Sequence, residues 1–413
     1  MLKYTLTFGP GLMVAAAGIG AGDMVSATMG GAGYGLALLW AVALAAFLKC
    51  FLNEGIARWQ LATNTTAIEG WCNHLPWWVR TYFGIYLIIW TGFVTAALIN
   101  ACGLGIENIT GGAISRSWGA VIHSVVGCIF VMIGGFKGFE KLMKLLITAM
   151  FFSVITCAIL TFHDPVAFLK GLFVPLVPAG AGASVLSVLG GIGGSITMLA
   201  YNYWLREEKM LGPKWVRFIR ADITIAYVFT AVFGIAVMSI ANQAFHVSGT
   251  QITNATAVTK MAQTLSAIIG PVGFWAYSIG FWAAVFASLL GVWQSVPYLF
   301  ADFYGLIRRY SETVRAEITQ VTSTPYRVAL LYVTLAPIPF AFMNVPLYII
   351  RAYTIVGSLF IPFLAATLLY LNNVRIPTDT GVSRNSRFTN AVLIFALILF
   401  SLVGAREAGL LPI

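Results

Sequence analysis

The stretch AAAGIGAGDMVSATMGGAGYG (residues 15–35) opens the first long apolar segment of the chain. Gly18, Gly20 and Gly22 fall within five residues, and the carboxylate of Asp23 follows them directly. A glycine in the interior of a helix costs about 1 kcal/mol relative to alanine, and a lone carboxylate in hydrocarbon is a functional-site candidate because it is expensive to place there. The segment therefore predicts a helix that breaks in its middle, at a functional site.

The composition is that of an integral membrane protein. Of the 413 residues, 59% are hydrophobic and 9% are charged, whereas about a quarter of the residues in soluble domains are charged. Many apolar runs are long enough to cross the ~30 Å hydrocarbon core of a bilayer. The positive residues behind the net charge of +10 lie mostly in the short loops, so we expect the bilayer as partner, and no nucleic acid.

Eleven membrane spans are predicted in a single transmembrane domain that covers residues 1–413. They centre on residues 9–30, 34–58, 80–105, 117–135, 142–162, 183–205, 220–241, 268–300, 326–343, 347–371 and 388–406. With a cytoplasmic N-terminus, 18 of the 24 Lys and Arg residues fall in cytoplasmic segments and five fall outside, as the positive-inside rule requires. The remaining one, Lys49 in the second span, is expected to snorkel to the interface. We expect a bacterial cytoplasmic membrane protein with its C-terminus outside.

The sixth span repeats the glycine pattern of the first. It reads SVLGGIGGSITMLAYNYWLREEK (residues 187–209), with glycines early and a polar, aromatic cluster after them. Spans one and six each begin a set of five, which is typical of inverted-repeat transporters. We predict one repeat over about 9–162, a second over about 183–371 and an additional helix at 388–406. Unwound backbone is tolerated where it lines a cavity, so a substrate is expected between the two breaks.

From Thr7 through Gly70 the chain resembles the Nramp family of divalent-metal transporters. The segments FGPGLMVAAAGIGAGD (8–23) and GGAGYGLALLW (30–40) are similar to that family's opening, and weaker likeness continues through GGIGGSITM, ASLLGVWQS and LFIPFLAATLLYL. The resemblance implies an all-α membrane protein with a LeuT-type 5+5 inverted repeat. It also implies 11 transmembrane helices, of which helices 1 and 6 are broken.

The metal-binding motifs of that family are not retained. Its DPGN motif falls on Gly20, Ala21, Gly22 and Asp23, and its MPHN motif falls on Met198, Leu199, Ala200 and Tyr201. The ligand aspartate is thus replaced by Gly20, and only Met198 survives of the second motif. A slip in the alignment would bring Asn202 into the place of the lost asparagine, but no slip restores the histidine.

The substrate stays open between two main possibilities. One is a small anion, such as bicarbonate or a short carboxylate, which would bind at the helix N-termini that the glycine breaks expose and would be coupled to Na⁺ or H⁺. The alternative is a divalent metal ion (Mn, Fe or Mg) held by Asp23 and backbone carbonyls, as in the parent family. A neutral or zwitterionic solute such as an amino acid is a third possibility. The loss of the ligand aspartate at Gly20 favours the anion.

The candidate site residues follow from the two breaks. The expected substrate-binding residues are Gly20, Ala21, Gly22, Asp23, Gly193, Gly194, Met198, Tyr201 and Asn202. The expected coupling-ion residues are Asp23, Ser288 and Ser295, since the two serines lie seven apart on one helix face. Gly22 is expected to need a conformation with φ > 0.

Two charged features near the ends of the spans have alternative interpretations. Arg351 lies near the outer end of a helix that is expected to flank the site, where it either snorkels or meets an anion. The segment REEK (206–209) is either a solvated helix end or a gate at the cytoplasmic mouth. No enzyme, cofactor or resident metal is expected, because no nucleophile–base pair or ligand cluster stands out.

Overall fold

A computed structural model describes residues 10–249, 257–343 and 346–407. Outside the described part lie residues 1–9 and 408–413, on which the predicted orientation of the two termini depends, and the side chain of Arg351. All regular structure in the described part is helical, with these α-helices: α1 Pro10–Gly18, α2 Ala21–Tyr34, α3 Leu39–Thr63, α4 Ala67–His74, α5 Trp77–Ile109, α6 Arg116–Leu160, α7 Pro165–Phe173, α8 Gly182–Gly191, α9 Ala200–Glu207, α10 Val216–Ala241, α11 Ala257–Ile269, α12 Pro271–Ile307, α13 Glu312–Ile318, α14 Thr324–Leu335, α15 Ile338–Ala341, α16 Pro346–Ser358, α17 Phe360–Tyr370 and α18 Arg387–Glu407.

The spans can be compared directly with the prediction. Within the described residues, nine helical stretches are long and apolar enough to cross a membrane. The difference from eleven has two sources. The first two predicted spans run into one stretch of 43 residues, 21–63, which begins only after the short α1. The ninth predicted span, at 326–343, is built from two shorter helices, α14 and α15.

The two breaks lie where the sequence predicts them. Helix α1 ends at Gly18 and α2 begins at Ala21, while α8 ends at Gly191 and a 3₁₀ turn resumes at Ile196 before α9. The fourth and fifth predicted spans, 117–135 and 142–162, both lie in α6, which is divided at Gly135, where the φ of 57° and ψ of 170° are not helical. Glycine permits this conformation because it lacks a Cβ.

The packing separates a buried bundle from a lipid-facing surface. Around the breaks, α8 and α10 each pack against both α2 and α3, and α12 packs against α1, α5 and α6. Large apolar side chains remain exposed on outer helices, for example Ile133, Phe152 and Ile159. A continuous apolar exterior of this kind suits contact with lipid rather than water.

The predicted orientation is testable with single cysteines. We expect Lys214→Cys, which is exposed before α10, to be labelled by an impermeant maleimide only after cells are permeabilised. Lys170→Cys, exposed on α7, should react in intact cells, because it falls on the other side of the predicted topology. Both variants belong in a background without the five native cysteines. Labelling of Lys214→Cys from outside would overturn the orientation.

Candidate functional site

The two breaks meet through their backbones. A Cβ added at Gly18 would lie 3.4 Å from the carbonyl carbon of Gly193, and one added at Gly194 would lie 3.4 Å from Cα of Gly18. Gly193 and Gly194 have φ values of +81° and +75°, a region that side chains with a Cβ rarely enter. The glycines of the sixth span therefore serve both a left-handed turn and a close backbone approach.

Asp23 joins the two breaks through backbone N–H groups. The N–H of Gly193 donates to Oδ1 at 2.9 Å, and the N–H of Gly20 donates to Oδ2 at 3.2 Å. The side chain is 0% exposed and lies in the first turn of α2, where the positive end of the helix dipole stabilises a carboxylate. The meeting point of the breaks is thus built to hold one carboxylate, and Asp23 supplies it.

Lys49 was expected to snorkel, and that prediction is wrong. Its side chain is 0% exposed, and Nζ donates to the carbonyl of Gly190 at 2.8 Å and to that of Ile192 at 2.5 Å. These carbonyls lie at the C-terminal end of α8, where the dipole favours a cation. Lys49 lies ten residues into the 25-residue α3, about 15 Å from its nearer end, which exceeds the reach of a lysine side chain. The position of Lys49 well inside the predicted second span, 34–58, was the feature of the sequence that indicated its burial.

One peptide group separates the two charges. The carbonyl of the Ile192–Gly193 peptide accepts from Lys49 and the N–H of the same group donates to Asp23. In a trans peptide these two bonds point in opposite directions, so the side chains lie on opposite sides of the peptide and form no direct ion pair within 4 Å. One peptide group therefore lies between the two side chains, and opposite charges on them leave the site with no net charge.

The other predicted site residues at the first break are placed as follows. Ala21 and Gly22 lie in the first turn of α2 and are buried. Gly22 is not among the glycines with positive φ, so the expected left-handed conformation is wrong. Its lack of a side chain serves packing instead, because an added Cβ would lie 3.1 Å from Cε1 of Tyr353 and 3.3 Å from the carbonyl oxygen of Gly191.

Tyr201 and Asn202 point their polar atoms away from Asp23. The Tyr201 hydroxyl donates to Asp222 at 2.9 Å. Asn202 donates to Gln60 Oε1 at 2.5 Å and accepts from the N–H of Ala67 at 3.1 Å. These bonds link α9 to α10, α3 and α4, and substrate binding by the two residues stays a prediction. Met198 is buried in the 3₁₀ turn after the second break.

Ser288 lies at the first break, whereas Ser295 is not tied to it. The Ser288 hydroxyl donates to the carbonyl of Ala17 at 2.7 Å, near the end of α1, and its side chain fills the space in front of Gly20. The Ser295 hydroxyl is buried and has no hydrogen-bond partner among the described residues. A coupling-ion site at these serines stays a prediction.

Side chains that the sequence did not single out surround the breaks. A chain of hydroxyls runs from Ser26 to Ser187 at 3.0 Å and from Ser187 to Thr354 at 2.9 Å. The indole N–H of Trp90 donates to Ser195 at 2.9 Å. These residues come from four helices and the turn at Ser195, so only the folded chain brings them together.

A buried ion network closes the cytoplasmic end of the bundle by the predicted topology. Glu69 on α4 accepts from Arg206 at 2.8 Å and from Arg315. Arg315 also pairs with Asp302 at 3.1 Å, which accepts from the hydroxyl of Tyr203 at 3.1 Å. Arg206, from the REEK segment, is therefore part of a network that links α4, α9, α12 and α13 and is not a freely solvated helix end.

The charge state of Glu69 follows from these partners. Burial alone would raise the pKa of Glu69, but the N–H of Thr66 and the two arginines outweigh burial and hold the pKa below its ordinary value. The carboxylate is therefore ionised at neutral pH, and the network is intact there.

The described residues contain no group of three or more His, Cys, Asp or Glu side chains placed to hold a metal ion. Asp23 is the one such side chain at the breaks, and its carboxylate oxygens already accept backbone N–H bonds. A metal at this place would depend on backbone carbonyls for most of its protein ligands.

Known proteins resemble the chain in sequence and in fold. Natural resistance-associated macrophage protein 1 of Homo sapiens is 25% identical over 354 residues, which cover 76% of this chain and 62% of that protein. The divalent metal cation transporter MntH of Chromohalobacter salexigens is 25% identical over 268 residues, covering 60% and 59% respectively. The chain thus spans about three fifths of the length of these curated relatives.

Two solved structures share the fold. The manganese transporter of Eremococcus coleocola matches with a TM-score of 0.72 at 15% identity, covering 98% of this chain and 88% of that one. MhsT, solved in complex with L-phenylalanine, matches with a TM-score of 0.56 at 17% identity, covering 96% and 98%. At these identities the likeness shows the fold alone.

Two broken helices that meet at a buried carboxylate, within an all-α fold shared with these structures, define a membrane protein of the LeuT-type fold. The family described as Natural resistance-associated macrophage protein-like matches residues 11–406. The chain belongs to the Nramp family, as the opening motif indicates.

Proposed function

We propose that the protein carries a small anion, bicarbonate or a short carboxylate, together with a proton by alternating access. The observation that carries the proposal is the carboxylate of Asp23 on the N–H groups of Gly20 and Gly193, with the ammonium of Lys49 across one peptide. We interpret the two N–H groups as an anion site that the carboxylate of Asp23 occupies in this state. A substrate carboxylate would accept hydrogen bonds from the same two N–H groups once the Asp23 side chain is protonated and rotates away from them.

The charge balance of this exchange supports proton coupling. Before exchange the site holds the Asp23 carboxylate and the Lys49 ammonium. After exchange it holds neutral Asp23, the substrate anion and the same ammonium, so its net charge does not change. A buried site strongly penalises uncompensated charge. One proton therefore accompanies each monovalent anion, and no sodium ion is required.

The second candidate is a divalent metal ion, and the names of the relatives favour it. In that case Asp23 and carbonyls of the breaks would hold the cation. The carbonyls of Gly190 and Ile192 already accept from Lys49, so the metal must either displace this ammonium or bind near it. Both cost free energy, because like charges repel strongly where water is excluded.

Reconstitution in liposomes distinguishes the candidates. We expect uptake of labelled lactate or bicarbonate that is driven by an inward proton gradient and is unaffected by a sodium gradient. Labelled Mn²⁺, assayed in parallel, should not accumulate. Accumulation of Mn²⁺ without anion uptake would establish the second candidate, and sodium-driven anion uptake would refute proton coupling through Asp23.

Asp23→Asn should separate coupling from binding. An amide keeps the size of the side chain but cannot take up charge, so gradient-driven accumulation should fall at least tenfold. The Lys49 ammonium still attracts an anion, so counterflow exchange of lactate should persist. Asp164→Asn is the matched control, because Asp164 is exposed and caps α7, a role that asparagine fills equally well. Loss of both activities in a folded Asp23→Asn protein would indicate a cation held directly by Asp23.

A further inference from the structure

We propose that Lys49 is a tethered cation that fills a cation site in the second break and so keeps free metal and alkali cations out of it. The inference deepens the proposed function and rests on it for the place of substrate binding, but not for the charge of the substrate. It makes Lys49 the residue that sets the sign of the ion this transporter accepts.

The site that Lys49 fills is formed by the backbone. Gly190 is in the last turn of α8, and Ile192 has left the helix with φ −64° and ψ 123°. The turn that follows at Gly193 and Gly194 brings both carbonyls, of Gly190 and of Ile192, onto one point, the position of Nζ. Carbonyl oxygens at a helix C-terminus are hard, partly negative ligands of the kind that bind Na⁺, Mg²⁺ and Mn²⁺.

The walls of this site are fixed by close packing. A Cβ added at Gly193 would lie 3.4 Å from Cδ of Lys49, 3.1 Å from Tyr227 and 3.6 Å from Thr230. The aliphatic part of the Lys49 side chain is therefore held between the second break and α10. This packing keeps the ammonium at the carbonyls of Gly190 and Ile192. An ammonium in such a place acts as a bound monovalent cation that never dissociates from the protein.

Removing the charge at Lys49 should open the site. In Lys49→Met the two carbonyls lose their donor, and Asp23 loses the only positive side chain across the Ile192–Gly193 peptide. A buried, unneutralised carboxylate beside free carbonyls strongly attracts a hard cation. The methionine side chain has one heavy atom fewer than that of lysine, so it leaves room for a small ion at the position of Nζ.

The experiment measures Mn²⁺ binding to the purified full-length protein by the loss of the aqueous Mn²⁺ signal in electron paramagnetic resonance. We expect no binding to the wild type below millimolar Mn²⁺, and binding at least tenfold tighter to Lys49→Met, with Mg²⁺ competing. The double variant Lys49→Met, Asp23→Asn should lose this gain, because the attracting charge is gone. Lys144→Met is the matched control, since Lys144 pairs with Glu140 at a partly exposed position, and it should behave as the wild type.

The outcomes separate this inference from the proposed function. Wild-type protein that binds Mn²⁺ as tightly as Lys49→Met, or a folded Lys49→Met without any gain, overturns the inference. An equal gain in the double variant overturns it as well, because Asp23 would then play no part. If Lys49→Met does not fold, Lys49→Gln replaces it, and a folded Lys49→Gln without gain has the same meaning. Failure of lactate and bicarbonate uptake, by contrast, refutes the proposed function and leaves the Mn²⁺ result standing.

Discussion

Gly20→Ala is expected to abolish transport and to destabilise the protein. The added Cβ would lie 2.3 Å from Oγ and 2.4 Å from Cβ of Ser288. Ser288 cannot simply rotate away, since its Cβ is fixed to the backbone of α12 and its hydroxyl holds the carbonyl of Ala17. Helix α12 or the first break must therefore shift, and overpacking of this kind typically costs about 1–3 kcal/mol. The shift also moves the Gly20 N–H away from Asp23.

A compensating variant tests whether this contact is the cause. In Gly20→Ala, Ser288→Gly the colliding atoms are gone, and the next neighbour of the new Cβ is Leu98 at an ordinary 3.6 Å. Thermal stability should return toward that of Ser288→Gly alone. Gly33→Ala, where nothing lies within 4 Å of an added Cβ, should transport lactate at the wild-type rate. Full transport by Gly20→Ala would exclude the close packing of the first break against α12.

Arg315→Ala is expected to lower the free energy of unfolding by about 3–5 kcal/mol, because it leaves two buried carboxylates, Glu69 and Asp302, without their shared partner. Both carboxylates are at most 5% exposed, so water replaces little of what is lost. Chemical unfolding in detergent measures the change. Arg308→Ala serves as control, since Arg308 is exposed and only stacks over Tyr304. Equal unfolding midpoints for the two variants would show that the network adds no stability.

The effect of Arg315→Ala should depend on pH in a defined direction. The pKa of Glu69 is held below its ordinary value in the folded protein, so its stabilisation is complete at neutral pH. It is lost as the pH falls through that lowered value. The difference between wild type and Arg315→Ala should therefore shrink in acid, and a difference that grows in acid would contradict this account.

The sequence predicted the parts of the fold that local chemistry determines. Glycine clusters mark both breaks: side chains with a Cβ rarely adopt the φ of +81° at Gly193, and the first break packs too closely for a Cβ at Gly20. Asp23 stands out because a carboxylate is costly in an apolar run. The spans were recognisable from length and hydropathy, whereas the bend at Gly135 was not recognised as joining two of them.

The parts that were missed depend on distant neighbours. The hydrogen-bond partners of Tyr201 and Asn202 could not be read from the sequence, because Asp222 and Gln60 lie far from them along the chain. Lys49 looked like an interfacial residue until the fold placed it against Ile192, 143 positions along the chain. Glycines in the sequence indicate where a helix breaks, but they do not indicate which side chains will bind to the backbone at the break.

The peptide between Ile192 and Gly193 has a mechanical consequence. A glycine-rich gap in a helix should be the most compliant point of a bundle, yet this one is braced from both faces, by α2 through Asp23 and by α3 through Lys49. Tyr227 and Thr230 of α10 press on the same turn. Helices α2, α3, α8 and α10 are thereby held together at the second break, so we expect these four helices to tilt as a rigid body. For the proposed alternating access, we expect the movement to be concentrated where this bundle contacts α5 and α12.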